Sequence, residues 1–132
     1  MPLKVPNNSE VFILEYILNK TTPDDIDIRL YTNDITPSDT DTITTYTEAT
    51  GFGYAMIQLV PANWAIVAGN PSVASHTQVT FVFTGALGNV YGYMVTKRAS
   101  GVLMWAERFN NGPYNIQNNG DEVKITPKLS LE

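Results

Sequence analysis

The chain has 132 residues, 43% of them hydrophobic and 16% charged, with a formal net charge of −5 and no cysteine. This composition is typical of one folded domain, and the lack of cysteine excludes disulfides and thiolate zinc sites. Residues 1–48 hold nine acidic and three basic side chains, net −6, and residues 49–132 hold four and five, net +1, a distribution that argues against nucleic-acid binding.

Residues 7–20 are the one good helix candidate. Asn7 and Glu10 have the spacing of a capping box, and Lys20 falls in the last turn, where a positive charge interacts favourably with the helix dipole. The apolar run inside this helix is too short to span a bilayer, and it lacks the basic segment of a signal peptide. We therefore expect a protein that is made and used without secretion or membrane insertion.

This helix is apolar on almost every side, because only Glu15 is polar between Val11 and Leu18. We expect Val11, Leu14 and Leu18 to form the stripe that faces the rest of the protein. The helix then either plugs one end of a β-sandwich or presents its remaining apolar side to a partner subunit.

Short segments of alternating polarity, separated by turn-forming residues, predict eight or nine strands. They span residues 26–32, 43–47, 54–60, 64–68, 77–84, 90–96, 102–109, 114–117 and 123–131. Pro127 cannot donate to a ladder, which places the last strand at an edge or a bulge. We predict one domain, residues 1–132, that is all-β: an antiparallel two-sheet β-sandwich over 26–131 with one N-terminal α-helix. A jelly-roll strand order stays open, because spacing alone does not define the order.

The most regular alternation lies between residues 77 and 109, which we predict to be a three-stranded meander joined by short glycine-containing turns. Val79, Phe81 and Phe83 share one face of its first strand. Leu103 and Trp105 share one face of its third strand. We expect these five side chains to be mostly buried.

An ordered set of segments over residues 5–131 resembles a group of small virion structural proteins of tailed bacteriophages, including cyanophages. The segments that carry the resemblance are the apolar N-terminal helix, Leu30–Pro37, Tyr46–Ala49, Gly53–Ala55, Trp64, Phe81–Gly85, Val90–Tyr93, Leu103–Phe109 and Lys124–Pro127. The specificity lies in the order of the set, since none of its motifs is diagnostic of a chemistry.

The resemblance implies a non-enzymatic protein of the virion that needs no cofactor, made in the host cytoplasm and placed on the capsid surface as a cement or decoration protein. Its partners would be the phage major capsid protein and other copies of itself, with a trimer suggested by the three-fold positions that cement proteins occupy. A tail or adaptor protein is the close alternative, and a glycan-binding module of a fibre is another.

Four carboxylates, those of Asp34, Asp39, Asp41 and Glu48, lie on or beside one loop, and calcium prefers such oxygen-rich loops. Their spacing does not match an EF-hand, so we favour a solvated acidic loop and predict no metal site.

Catalytic candidates are few. Glu48 and Glu107 could form a glycosidase carboxylate pair, but we favour an ion pair of Glu107 with Arg108 or Arg29. His76 is the one histidine, which excludes sites built from two histidines, and we expect it to be a hydrogen-bonded surface residue. We predict no catalytic residues.

Aromatic and apolar side chains supply the candidate interface. On the helix we select Phe12, Tyr16 and Ile17, with Tyr16 and Ile17 preferred because they lie opposite the expected sheet-facing stripe. Trp64 and Tyr93 are further candidates, since aromatic residues are enriched at interface centres. We place Trp105 in the core.

Overall fold

A computed structural model describes residues 4–131, which form an all-β fold with antiparallel sheets and one N-terminal helix, as the sequence predicts. The helix α1 spans Asn7–Ile17. The strands are β1 (Ile26–Tyr31), β2 (Ile57–Gln58), β3 (Trp64–Val67), β4 (Ser72–His76), β5 (Val79–Val82), β6 (Gly88–Val90), β7 (Gly92–Lys97), β8 (Leu103–Arg108), β9 (Tyr114–Ile116), β10 (Glu122–Ile125) and β11 (Lys128–Leu131).

Four hydrogen-bonded sheets result, in the strand orders β2-β1-β7-β8, β11-β4-β3, β10-β5 and β6-β9. The main core lies between the four-stranded sheet and the shorter ladders. From the four-stranded sheet it receives Ile28, Leu30 and Val95, and from the facing strands it receives Phe81 and Val123. The alternating apolar residues of both layers therefore meet as in a sandwich.

The four-stranded sheet is also buried on its second face. Tyr31, Met94 and Leu103 form a second apolar cluster there with Tyr46, beneath the loop that follows β1. All six residues of β7 are buried as a result. The acidic loop, which we expected to be solvated, thus covers a second core.

The predicted meander is only half correct. Strands β7 and β8 pair, but β5 pairs with β10 instead of β7. A strand inside a doubly covered sheet is buried on both faces, as β7 is, whereas β5 is buried on one, because Thr80 and Val82 are exposed while Val79 and Phe81 are buried. The chain after β5 therefore leaves that ladder and forms β6, which pairs with β9.

A bulge in β8 changes which faces its side chains occupy. Val95 is paired with Trp105 and Thr96 with Leu103, so Met104 is the extra residue. Leu103 and Trp105 consequently lie on opposite faces of the sheet, in different apolar clusters. Their predicted burial is confirmed, as is that of Val79, Phe81 and Phe83, whereas the shared face is wrong.

Other boundaries differ in particular places. Residues 43–47 contain a 3-10 turn, Ile43–Thr45, in which the Thr45 N–H donates to the Thr42 carbonyl at 3.0 Å and the Thr45 hydroxyl oxygen accepts from the Thr42 N–H at 3.1 Å. The predicted strand over 54–60 is reduced to Ile57–Gln58, and residues 72–76 form a strand that was not predicted. Pro127 divides the last predicted strand into β10 and β11, both of which lie at sheet edges as expected.

Helix α1 is shorter than predicted and has no side-chain cap. Pro6 occupies the N-cap position in an extended conformation, so the Asn7–Glu10 capping box is wrong. The helix ends at Ile17 because Asn19 adopts a left-handed conformation, with φ 54°. Lys20 therefore lies beyond the last turn.

The rotation of α1 also differs from the prediction. Ser9 donates a hydrogen bond of 2.6 Å to the carbonyl of Leu103, and the Lys97 ammonium lies 3.6 Å from the centre of the Phe12 ring and 5.2 Å from that of Tyr16. These contacts turn Ser9, Phe12 and Tyr16 toward the sheet. Val11, Leu14 and Leu18, which we expected to face the sheet, are exposed instead.

Candidate interaction surface

The outward side of α1 is apolar and open to solvent. We call this side, formed by Val11, Leu14, Ile17 and Leu18, the α1 outer face. Each of these side chains is more than half exposed, and Ile17 is 73% exposed. Contiguous exposed apolar residues mark contact sites, and of the helix residues that we selected for an interface only Ile17 belongs to this set.

An apolar groove of about 400 Å³ runs beside α1, between the helix and the three-stranded sheet. Ile13 and Tyr16 line it from the helix, and Trp64 and Ile66 line it from β3. Among the described residues that line it, only Asp24 is charged. The groove and the α1 outer face are therefore formed by different sides of the same helix.

Aromatic rings stabilise the sheet side of this groove. Trp64 packs edge-on against Trp105, with ring centres 6.5 Å apart, and against His76 at 5.1 Å. His76 is buried, contrary to our expectation of a surface position, because it is packed against Trp64. Its Nδ1 lies 2.7 Å from the carbonyl oxygen of Thr77 and donates to it, which holds the imidazole in place.

A long uncharged segment supplies much of the exposed apolar surface. No Asp, Glu, Lys or Arg occurs between residues 49 and 96. Its exposed apolar side chains are Phe52, Met56, Val60, Ile66, Val67 and Val82. The centres of protein interfaces are depleted of charged residues in the same way.

The five selected interface residues have different positions. Ile17 lies on the α1 outer face, whereas Tyr16 and Trp64 are half-buried and line the groove. Phe12 is half-buried against the core and over Lys97. Tyr93 is only 3% exposed, so its selection as an interface residue is wrong: it points into the main core between the sheets.

The acidic loop is held by individual partners instead of converging. Its pairs are Asp34 with Arg108 at 2.7 Å, Asp39 with Lys4 at 3.6 Å, Asp41 with the Tyr46 hydroxyl at 2.7 Å, and Glu48 with Arg29 at 3.0 Å. Within residues 4–131 no three Asp, Glu, His or Cys side chains come together as metal ligands. The carboxylates hold the loop over the second core.

Glu48 and Glu107 have separate environments. Glu48 accepts hydrogen bonds from Arg29 and from the Tyr54 hydroxyl, at 3.0 and 2.7 Å. Glu107 lines a different pocket, beside Lys4 and Lys128. The expected ion pair of Glu107 with Arg108 or Arg29 is wrong, because those guanidinium groups bind Asp34 and Glu48.

Burial raises the pKa of Glu107 above its ordinary value. The pKa is then higher in the folded than in the unfolded chain, so the stability linked to this group is present below the unfolded pKa and is lost as pH rises through the folded pKa. Glu107→Gln is therefore expected to raise the melting temperature at neutral pH and to match wild type near about pH 4.

Thermal unfolding followed by circular dichroism across this pH range checks the expectation. Glu122→Gln serves as the control, because Glu122 is ion-paired with Lys124 at 3.5 Å on the exposed face of β10 and should give no gain at neutral pH. Equal melting temperatures of Glu107→Gln and wild type at every pH would contradict a raised pKa of Glu107 in the folded chain.

No protein-family model, no curated protein and no solved structure matches this chain. Over residues 4–131 no helix is both long and apolar enough to cross a membrane.

Proposed function

We propose that this protein is a non-enzymatic structural component of a phage virion, and that it acts as a capsid cement protein that bridges capsid subunits. The observation that supports the proposal is the α1 outer face, an uncovered row of apolar side chains beside an apolar groove. The phage context comes from the resemblance described above. The proposed partners are the major capsid protein and further copies of this chain.

The proposed mechanism is the burial of apolar area. Covering an exposed Leu or Ile side chain contributes roughly 1.5–3 kcal/mol before the costs of association. An interface of standard size buries about 1,600 Å² in total, and α1 can supply the apolar centre of such an interface. Repeated across a lattice, contacts of modest strength become collectively tight.

The function can be tested by adding purified protein back to phage particles that lack it. Ile17→Asp places a charge on the most exposed residue of the α1 outer face, and we expect it to weaken particle binding about tenfold or more, because a buried unpaired charge is costly. Folding should hardly change, since substitutions at exposed positions usually alter stability by within about 0.5 kcal/mol.

Asn8→Asp is the matched control. It adds the same charge to the same helix at an exposed position outside the α1 outer face, and it should bind particles as wild type does. Undiminished binding of Ile17→Asp, with both variants folded, would contradict a capsid contact through α1.

A further inference from the structure

Strand β3 forms an open edge of the three-stranded sheet β11-β4-β3. Within residues 4–131 its only strand partner is β4. Ile66 is 77% exposed and Val67 is 68% exposed. An apolar edge strand with unpaired backbone groups is a template for pairing with another strand.

The hydrogen bonds of β4 determine which backbone groups of β3 face outward. The N–H of His76 donates to the carbonyl of Pro127 at 2.9 Å, on the β11 side, so His76 points its backbone groups away from β3. His76 is paired with Trp64, which makes this a pair without mutual hydrogen bonds. Because the pattern alternates along a ladder, Ala65 bonds to β4, whereas Trp64 and Ile66 direct their groups to the open edge.

Other strand edges carry protection that β3 lacks. Lys128 lies on β11, and Glu122 and Lys124 lie on β10. The outer edge of β8 is occupied by Lys4, which exchanges two backbone hydrogen bonds with Ala106 at 2.9 and 3.0 Å. Charges and covering segments of this kind prevent edge-to-edge pairing, and among the described residues β3 has no charged side chain and no further strand partner.

We propose that two copies of this chain pair their β3 strands antiparallel about a two-fold axis at Ile66. In this register the Ile66 N–H of each copy donates to the Ile66 carbonyl of the other. The N–H of Ala68 can then donate to the Trp64 carbonyl of the other copy, and the bulky Trp64 lies beside the small Ala68. The N–H of Trp64, which already donates to the Pro61 carbonyl, is not required.

The self-complementary register favours a second copy as the occupant of this edge, and charge does not oppose it there. The chain carries a net charge of −5, so two copies repel each other in general. The two-fold axis passes through the uncharged segment 49–96, where no like charges are brought into opposition. Pairing extends the sheet to six strands, β11-β4-β3-β3-β4-β11, and places the two Ile66 side chains in cross-strand contact.

This inference rests on the proposed function only in that both expect copies of the chain to associate. It assigns the contact between copies to β3 instead of α1. A two-fold contact gives a dimer, where the resemblance suggests a trimer. The α1 outer face then remains exposed in the dimer and can bind the major capsid protein.

Purified protein at tens of micromolar tests the pairing by light scattering and backbone amide hydrogen exchange. Wild type should have twice the chain mass of 14.6 kDa, with the Ile66 amide protected from exchange. Ile66→Lys should raise the dimer dissociation constant about tenfold or more, because it sets two like charges opposite each other, and should expose that amide. Val82→Lys is the control, since Val82 is half-exposed in the same uncharged segment but lies on β5, and it should stay dimeric.

A monomeric or trimeric wild type would overturn the pairing, and so would a folded Ile66→Lys whose dimer dissociation constant equals that of wild type. Each of these results leaves the particle-binding test of Ile17→Asp unaffected, because that test measures attachment to the virion and not the mass of the free protein.

Discussion

Replacing Trp105 with alanine is expected to lower the free energy of unfolding by about 3–5 kcal/mol, the usual cost of removing a large aromatic side chain from a core. Trp105 is 5% exposed and lies opposite Val95 in the four-stranded sheet. Its ring also packs edge-on against Trp64. The substitution thus leaves a cavity at the wall of the groove and removes the ring against which Trp64 of β3 packs.

Urea unfolding followed by circular dichroism at neutral pH measures this loss. Val82→Ala is the control, because Val82 is a half-exposed strand residue of the same protein and its truncation should cost less than about 1 kcal/mol. If Trp105→Ala lost no more than this control, the indole would not be part of the core.

Gly92→Ala is expected to be destabilising at the upper end of the roughly 1–3 kcal/mol that overpacking costs, or beyond it. A Cβ at Gly92 would meet the carbonyl oxygen of Glu107 and the ring of Tyr31 at distances closer than real Cβ atoms show. Neither neighbour can easily withdraw. Tyr31 is fully buried, and Glu107 belongs to β8, which is paired with β7.

Thermal unfolding of Gly92→Ala and Gly69→Ala provides the comparison. A Cβ at Gly69 has the Pro71 carbonyl oxygen as its nearest neighbour, at 3.1 Å, in an exposed turn. Gly69→Ala should therefore melt close to wild type, while Gly92→Ala melts well below it. Similar melting temperatures for the two variants would show that Tyr31 and β8 leave room for a Cβ at Gly92.

The fold class could be predicted because single-strand alternation reports burial directly. Val79, Phe81 and Phe83 are buried as their spacing indicates. Strand order could not be predicted, because it depends on which strands need two apolar faces. The bulge at Met104 had no signal either, since one extra residue changes the face of Leu103 without changing the local composition.

The α1 outer face illustrates a second limit of sequence reasoning. A helix that is apolar all round has no stripe that favours one rotation, so its orientation is set by contacts from elsewhere. Here these are the Ser9 hydrogen bond to Leu103 and the packing of Phe12 over Lys97. The sequence left open whether one side would remain uncovered, and it did not indicate which side.

The open edge of β3 was only partly visible in the sequence. The absence of charge over residues 49–96 can be read directly, and it marks a segment suited to contact. That β3 lies at an edge, and that Ile66 directs its backbone groups outward, depends on the pairing of β4 with β11. Long-range pairing of this kind is not encoded in any local pattern.

Imaging of the intact virion at side-chain resolution tests the central claim most directly. We expect this chain on the capsid shell, repeated over the lattice, with Leu14 and Ile17 of the α1 outer face covered by the major capsid protein. If the chain is found only in the tail or its adaptor, the cement function is wrong and the protein is a tail or adaptor protein. A particle that lacks the chain, or that holds it with the α1 outer face in solvent, would contradict the proposed function.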